Sequence, residues 1–213
     1  MRCAKEWLPL YAVTDRSWLD GRTFHEVAEA ALRGGVTCLQ LREKELEHES
    51  FLREAISLKG LCDKYQVPLI IDDEVGIAIE SRAAGVHIGQ QDEPAAEVRR
   101  RLGPNMLLGV SAQTVEQAVK AEREGADYLG VGAVFPTGTK LDAEDVSYDT
   151  LKEICEAVSI PVVAIGGIKE DNLALLSGSG IDGVAVVSSI FAAPEAETAA
   201  RALRAVVRIE LGV

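Results

Sequence analysis

Three acids stand where short β-branched runs give way to polar residues: Asp72 and Asp73 close the run Pro68 to Ile71, and Asp92 follows Val86 to Ile88. If those runs are neighbouring parallel strands, Asp73 and Asp92 come within side-chain reach. They could then share one Mg²⁺, with phosphate oxygens and water completing the octahedron. The alternative is that strand-end acids cap the following helix by accepting its N–H groups. Gln40, Arg42 and Lys44 alternate at the end of a further run, and period-two geometry points all three to one side if that strand extends so far. Arg42 offers a fork and Lys44 a mobile point charge to a diphosphate. Gln40 can donate to and accept from an aromatic heterocycle. The alternative for this segment is a solvated turn.

Pro136-Thr137-Gly138-Thr139-Lys140 combines hydroxyls, loop N–H groups and a cation, but lacks Walker A spacing. With Gly166-Gly167 and Ser188-Ser189 it would form a phosphate site on the late part of a barrel rim. The alternative is a flexible surface turn. No nucleophile–base pair is evident. His87 falls inside a strand-like run, either inward-facing or packed in the core, and His25 and His48 fall on helical surfaces. Cys38 precedes Gln40 by two, lacks a basic partner, and reads as packing.

Eight such runs must hold these residues, each leading into a helical pattern. Leu8–Thr14, Thr37–Leu41, Pro68–Ile71, Val86–Ile88, Met106–Val110, Ala126–Gly132, Pro161–Ile165 and Gly183–Val187 read as strands. Helical patterns follow, with Thr23 as an N-cap, Pro94 near the start of the fourth helix, Thr114–Glu124, a short helix at Asn172–Leu176 and a last one at Glu195–Ile209. The fold class is α/β: a single (β/α)8 TIM barrel over residues 1–213. An open doubly wound sheet is the structural competitor, but no candidate antiparallel edge is present.

At 213 residues the chain suits one compact barrel, since such barrels commonly take ~250 residues. Aromatic residues are only 5% of the whole, as expected where small aliphatic side chains fill parallel strands buried on both faces. A net charge of −12 argues against nucleic acid and anionic membranes as partners, but not against a small phosphorylated ligand in a locally cationic cleft. The four cysteines, Cys3, Cys38, Cys62 and Cys155, are widely spaced and read as free thiols in a reducing compartment. The first ten residues have no signal-peptide pattern, and no window approaches the ~20 apolar residues of a membrane span. A soluble cytoplasmic protein is expected, and a homodimer, because two-fold assemblies are common.

The segments Tyr11–Asp15, Gln40–Lys44, Gly85–Asp92, Gly130–Lys140 and Val163–Ile168 together resemble thiamine phosphate synthases, in the right order across nearly the whole chain. The resemblance implies a transferase that joins 4-amino-2-methylpyrimidine methyl diphosphate to a hydroxyethylthiazole phosphate. The products would be thiamine monophosphate and diphosphate, with Mg²⁺ required and a dissociative course. It also implies that Gln40, Leu41, Arg42, Glu43, Lys44, Asp72, Ser111 and Lys140 hold the pyrimidine diphosphate, with Arg42, Lys44 and Lys140 stabilising the departing charge. Asp73 and Asp92 would bind Mg²⁺, one ion per subunit, and Thr137, Gly138, Thr139, Gly167, Val187 and Ser188 would surround the thiazole phosphate. Asp72 departs from the family's usual Asn, losing an amide donor and adding a negative charge. A related thiazole tautomerase branch, and a non-catalytic binder of thiazole or thiamine phosphate, are the alternatives. A phosphosugar isomerase would need an acid–base pair that the rim does not offer.

Overall fold

The computed structural model describes residues 3–19, 21–137 and 145–213. Eight parallel strands close on one another in sequence order: β1 (Leu10–Val13), β2 (Cys38–Leu41), β3 (Leu69–Asp72), β4 (Gly85–Ile88), β5 (Leu107–Ala112), β6 (Tyr128–Val131), β7 (Val162–Ile165) and β8 (Gly183–Val186). Closure is set by the pairing of β8 with β1, where Leu10, Tyr11 and Ala12 face Val184, Ala185 and Val186. The expected closed barrel is therefore present, and the open-sheet alternative is excluded.

Period-two alternation explains the two cores. Tyr11, Val13, Cys38, Ile70, Leu107, Tyr128, Val163 and Ala185 turn into the barrel and form one apolar cluster. Their strand neighbours, such as Leu10, Leu39, Ile71, Leu108 and Val184, turn outward and pack beneath the helices. Both faces are removed from water, so each strand reads as an almost unbroken apolar run.

The α-helices of the outer layer are α1 (Phe24–Arg33), α2 (His48–Tyr65), α3 (Val75–Ser81), α4 (Ala95–Leu102), α5 (Val115–Arg123), α6 (Tyr148–Ala157), α7 (Ser188–Phe191) and α8 (Ala196–Leu211). The unit after β7 carries only a short 3₁₀ turn, Leu173–Leu176. Thr23 caps α1 as expected, accepting from Glu26 N while the Glu26 carboxylate accepts from Thr23 N. Such a cap contributes about 1 kcal/mol. At the starts of α5 and α6, Thr114 accepts from Gln117 N and Ser147 from Thr150 N, without the reciprocal bond.

At the opposite end from the strand C-termini, polar side chains tie the strand entrances. Thr37 Oγ1 accepts from Leu10 N at 2.9 Å, Asp127 from Leu108 N at 2.8 Å and Asp182 from Val162 N at 3.0 Å. In each case the residue before one strand satisfies an N–H of its neighbour, so this end is occupied with holding the barrel shut. Among the described residues no helix is long and apolar enough to cross a membrane.

Candidate active site

The C-terminal ends of β2 to β5 bring the sequence-identified ionisable residues together. Strand β2 stops at Leu41, the end expected for it, so the condition for its alternation to run on through Lys44 is not met. A bend takes its place. Arg42 N donates to Thr14 Oγ1 at 3.0 Å, and Glu43 turns away to accept from Arg16 Nε at 2.6 Å. Arg42 and Lys44 nevertheless converge on the end of β3. Lys44 Nζ lies 3.2 Å from Asp72 Oδ2 and also contacts Asp73, while Arg42 Nε is 3.9 Å from the same Asp72 oxygen. Arg42 is shared with Asp15, at 3.5 Å, a residue that charge spacing alone had not singled out.

Asp72 and Asp73 do not cap α3. The N-cap position there is Glu74, which makes no side-chain capping bond. Asp73 adopts φ +60°, and its N–H donates to His87 O at 2.8 Å. A left-handed non-glycine residue costs the fold energy, and such conformations concentrate where a side chain must be aimed. Asp92 accepts from Gly89 N at 2.7 Å within the loop after β4, and Pro94, with no side-chain cap, begins α4. The capping alternative therefore does not describe any of the three acids.

The electrostatics of this corner are those of crowded carboxylates short of cations. Burial pushes the Asp72 carboxyl upward, against the downward pull of Lys44 and Arg42. Burial also raises Asp92; the Gly89 N–H pulls it down, and the adjacent Asp73 carboxylate pushes it up again. Burial alone would lower the Lys44 ammonium, but Asp73 and Asp72 reverse this and hold it above its ordinary range. Asp73 and Asp92 are thus close enough to perturb one another. An oxygen-only pair of this kind suits a hard divalent cation that takes its other ligands from phosphate and water.

Ser111 sits inside β5, its hydroxyl 3.0 Å from His87 Nε2 and its carbonyl accepting from Gln90 Nε2 at 2.6 Å. Gln40 lies buried in β2 on the inward register of Cys38. Leu41 belongs to the outer core beneath the helices, and Glu43 is engaged by Arg16, so only the backbone of these two can face a ligand beside Arg42 and Lys44.

The second arc of the rim is built from β6 to β8. Gly167 follows β7 with φ +65°, and a Cβ there would come within 2.5 Å of Pro136 O and 2.8 Å of Phe135 Cβ. Only glycine lets the β6 and β7 loops touch at that point, which seats Phe135 and Pro136, the residues just before Thr137, against Gly167. Asn172 holds this turn, donating to Gly167 O at 2.9 Å and accepting from Lys169 N at 2.8 Å. Val187 is the N-cap of α7 and Ser188 its first residue. This one-turn helix is too short to leave a periodic signature, which is why Ser188-Ser189 reads as a loop in the sequence. Gly138, Thr139 and Lys140 lie outside the described residues.

The thiols play no part in this site. Cys38 and Cys62 are buried, Cys3 and Cys155 half-buried. Burial pushes Cys3, Cys62 and Cys155 up to about 12, so all three are protonated at neutral pH. Cys38 faces the inner cluster, as expected of a packing residue.

Similarity to known proteins identifies the family. The model of the family described as thiamine monophosphate synthase matches residues 10–190. A thiamine-phosphate synthase of Clostridium tetani is 52% identical over 194 residues, covering 91% of this chain and 93% of that protein. One from Enterococcus faecalis is 51% identical over 191 residues, covering 90% of each. The solved thiamine phosphate pyrophosphorylase from Pyrococcus furiosus superposes with a TM-score of 0.90 at 37% identity, over 98% of this chain and 99% of that one. With a family match spanning most of the barrel, and with both arcs of the rim included in it, this chain belongs to the thiamine monophosphate synthase family of transferases.

Proposed function

We propose that the chain condenses 4-amino-2-methyl-5-(diphosphooxymethyl)pyrimidine with 4-methyl-5-(2-phosphooxyethyl)thiazole, giving thiamine monophosphate and diphosphate. The observation that carries this reading is the convergence of Arg42 and Lys44 on the Asp72–Asp73 corner, with Asp92 beside Asp73. One rim corner thus offers two cations for a diphosphate and two carboxylates for a divalent ion, in a family whose relatives carry the synthase name.

Asp73 and Asp92 would hold Mg²⁺, which when bound supplies positive charge to the diphosphate oxygens. The remaining work falls to this chain's own groups. Arg42 and Lys44, with Lys140, stabilise the charge that accumulates on diphosphate as its bond to the pyrimidine methylene breaks. Lys44 must exchange its contacts with Asp72 and Asp73 for the substrate, which makes the resting ion pairs a competitor for the diphosphate. Gln40 orients the pyrimidine ring from inside the barrel. Thr137, Gly167, Val187 and Ser188 on the opposite arc hold the thiazole phosphate, with Gly138 and Thr139 assigned to it by the family resemblance alone, so that the ring nitrogen meets the methylene carbon. Exclusion of water protects the cationic methylene until that nitrogen attacks. No side-chain nucleophile is required.

The test is diphosphate release by the purified protein with both heterocyclic phosphates, with and without Mg²⁺, alongside thiamine phosphate formation. Release that needs both substrates and the metal supports the reading. Thiazole phosphate binding without product would replace it with a non-catalytic binding role or a tautomerase role.

A further inference from the structure

Inside the barrel a line of polar groups runs from its floor to the rim. Tyr11 and Tyr128 hydroxyls are 2.9 Å apart, the Tyr128 hydroxyl is 3.2 Å from His87 Nδ1, and His87 Nε2 is 3.0 Å from Ser111 Oγ. Strand geometry makes deliberate room for it. A Cβ at Gly109 would meet Tyr128 Cζ at 2.2 Å and His87 Nδ1 at 2.4 Å. One at Gly130 would come within 3.0 Å of His87 Cε1. Glycine inside a strand weakens it, and here two of them open the slot that the rings fill.

The line has two possible directions, distinguished by where the last proton goes. If Ser111 donated to His87, each later group would donate downward and the Tyr11 proton would be left at the floor. That floor is lined by Leu8, Ile70, Leu107 and Val163, with Cys38 as a weak sulfur acceptor. If Tyr11 donates upward instead, every buried proton meets oxygen or nitrogen, and the proton left over belongs to Ser111 at the polar end. Leaving a buried donor without a good acceptor is costly, which favours the upward direction.

We propose that Tyr11, Tyr128 and His87 are positioning residues that hold Ser111 as a hydrogen-bond donor to an anionic oxygen of the substrate. Tyr11 donates to Tyr128, Tyr128 to His87 Nδ1, and neutral His87 donates through Nε2–H to Ser111 Oγ. The Ser111 hydroxyl accepts that bond and directs its own proton at the rim. The assignment of the anion to the pyrimidine diphosphate rests on the function proposed above; the direction of the line does not.

Long-range ¹H–¹⁵N correlation of the histidine side chains in the full-length protein tests the direction. His25→Gln and His48→Gln, at exposed helical positions, assign the other two rings. His87 is expected as the neutral Nε2–H tautomer, and Tyr128→Phe should shift it toward a mixture. An Nδ1–H tautomer in the wild type, or no response to Tyr128→Phe, overturns the proposal. Kinetics test the consequence. Tyr128→Phe should lower kcat about tenfold, with KM for the thiazole phosphate unchanged. In a Ser111→Ala background it should cost little more, because both changes disable one donor. His87→Gln, whose amide nitrogen reaches the Nε2 position, should retain more activity than His87→Asn. Fully additive losses, or equal losses for Gln and Asn, sink the positioning role. If the wild type forms no thiamine phosphate, the proposed function fails, while the tautomer still decides the line.

Discussion

Asp72→Asn should improve the diphosphate corner. Its Oδ2 lies 3.2 Å from Lys44 Nζ and 3.9 Å from Arg42 Nε, and its side chain is only 13% exposed. Lys44 is 47% exposed, so solvent screens much of this attraction, and the competition that Asp72 offers a phosphate is worth about 1 kcal/mol. Removing it while Asp73 keeps its contact with Lys44 should lower KM for the pyrimidine diphosphate about fivefold. Raised salt should shrink the difference between the two proteins. The same substitution bears on stability. Burial raises the Asp72 carboxyl above its unfolded value, so the folded state prefers the neutral form, and ionisation above the folded pKa costs stability. Asn mimics the neutral form. The variant should melt higher than wild type at pH 7, and the advantage should fade as pH falls and wild-type Asp72 protonates. Diphosphate release across a range of salt, with melting curves from pH 4 to pH 7.5 (about the window where a raised carboxyl titrates), measures both. A higher KM with a large loss of kcat would refute the reasoning and give Asp72 a role of its own.

Asp92→Ala should lower turnover about 100-fold and abolish its dependence on Mg²⁺, because Asp73 alone is left to hold the ion; wild-type turnover without metal would remove the carboxylate pair from the mechanism. Gly167→Ala puts a Cβ 2.5 Å from Pro136 O at φ +65°, which should cost about 1–3 kcal/mol by denaturation and raise KM for the thiazole phosphate. Arg99 donates to Gly125 O at 3.0 Å and to Gly103 O and Met106 O at 2.8 Å at the closed end of the barrel. Arg99→Ala should lose about 3 kcal/mol, or roughly 6–12 °C in Tm, with kcat per folded molecule unchanged. Thiol reagents should label the native protein slowly at pH 7.5 and all four cysteines on unfolding, since three thiols are held near 12 and Cys38 is sealed in the inner cluster; rapid native labelling would contradict that burial.

The barrel was legible because parallel strands buried on two faces must be continuous apolar runs, and eight of them appear at regular spacing. Boundaries were less so. Leu8 was expected to open β1, yet a 3₁₀ turn at Lys5–Trp7 precedes it and pairing starts at Leu10. Strand β5 runs to Ala112, beyond the expected Val110, and this places Ser111 on a rigid strand where His87 can reach it. Propensity could not show that, because the extension is fixed by pairing of Ser111 with Gly130 and Ala112 with Val131. The path of the chain after Leu41 was likewise invisible, since Arg42 and Glu43 are held there by Thr14 and Arg16, nearly thirty residues earlier.

That difference separates what side-chain type reveals from what topology alone can supply. Charged residues at strand ends announce themselves, because acids and cations are rarely placed beside buried strands without purpose. The line from Tyr11 to Ser111 does not: His87 reads equally as inward-facing or packed, Ser111 enters through the family resemblance, and nothing in the sequence joins either to the two tyrosines. Strand order makes them a line, since β4, β5 and β6 are neighbours and Gly109 and Gly130 leave the space between them. Replacing Gly109 with Ala keeps every polar residue yet drives a Cβ into both rings, with contacts of 2.2 Å and 2.4 Å. If the glycines serve the line, Gly109→Ala should disturb the His87 tautomer and slow turnover together. A variant that melts lower but keeps both would show that Gly109 serves packing alone.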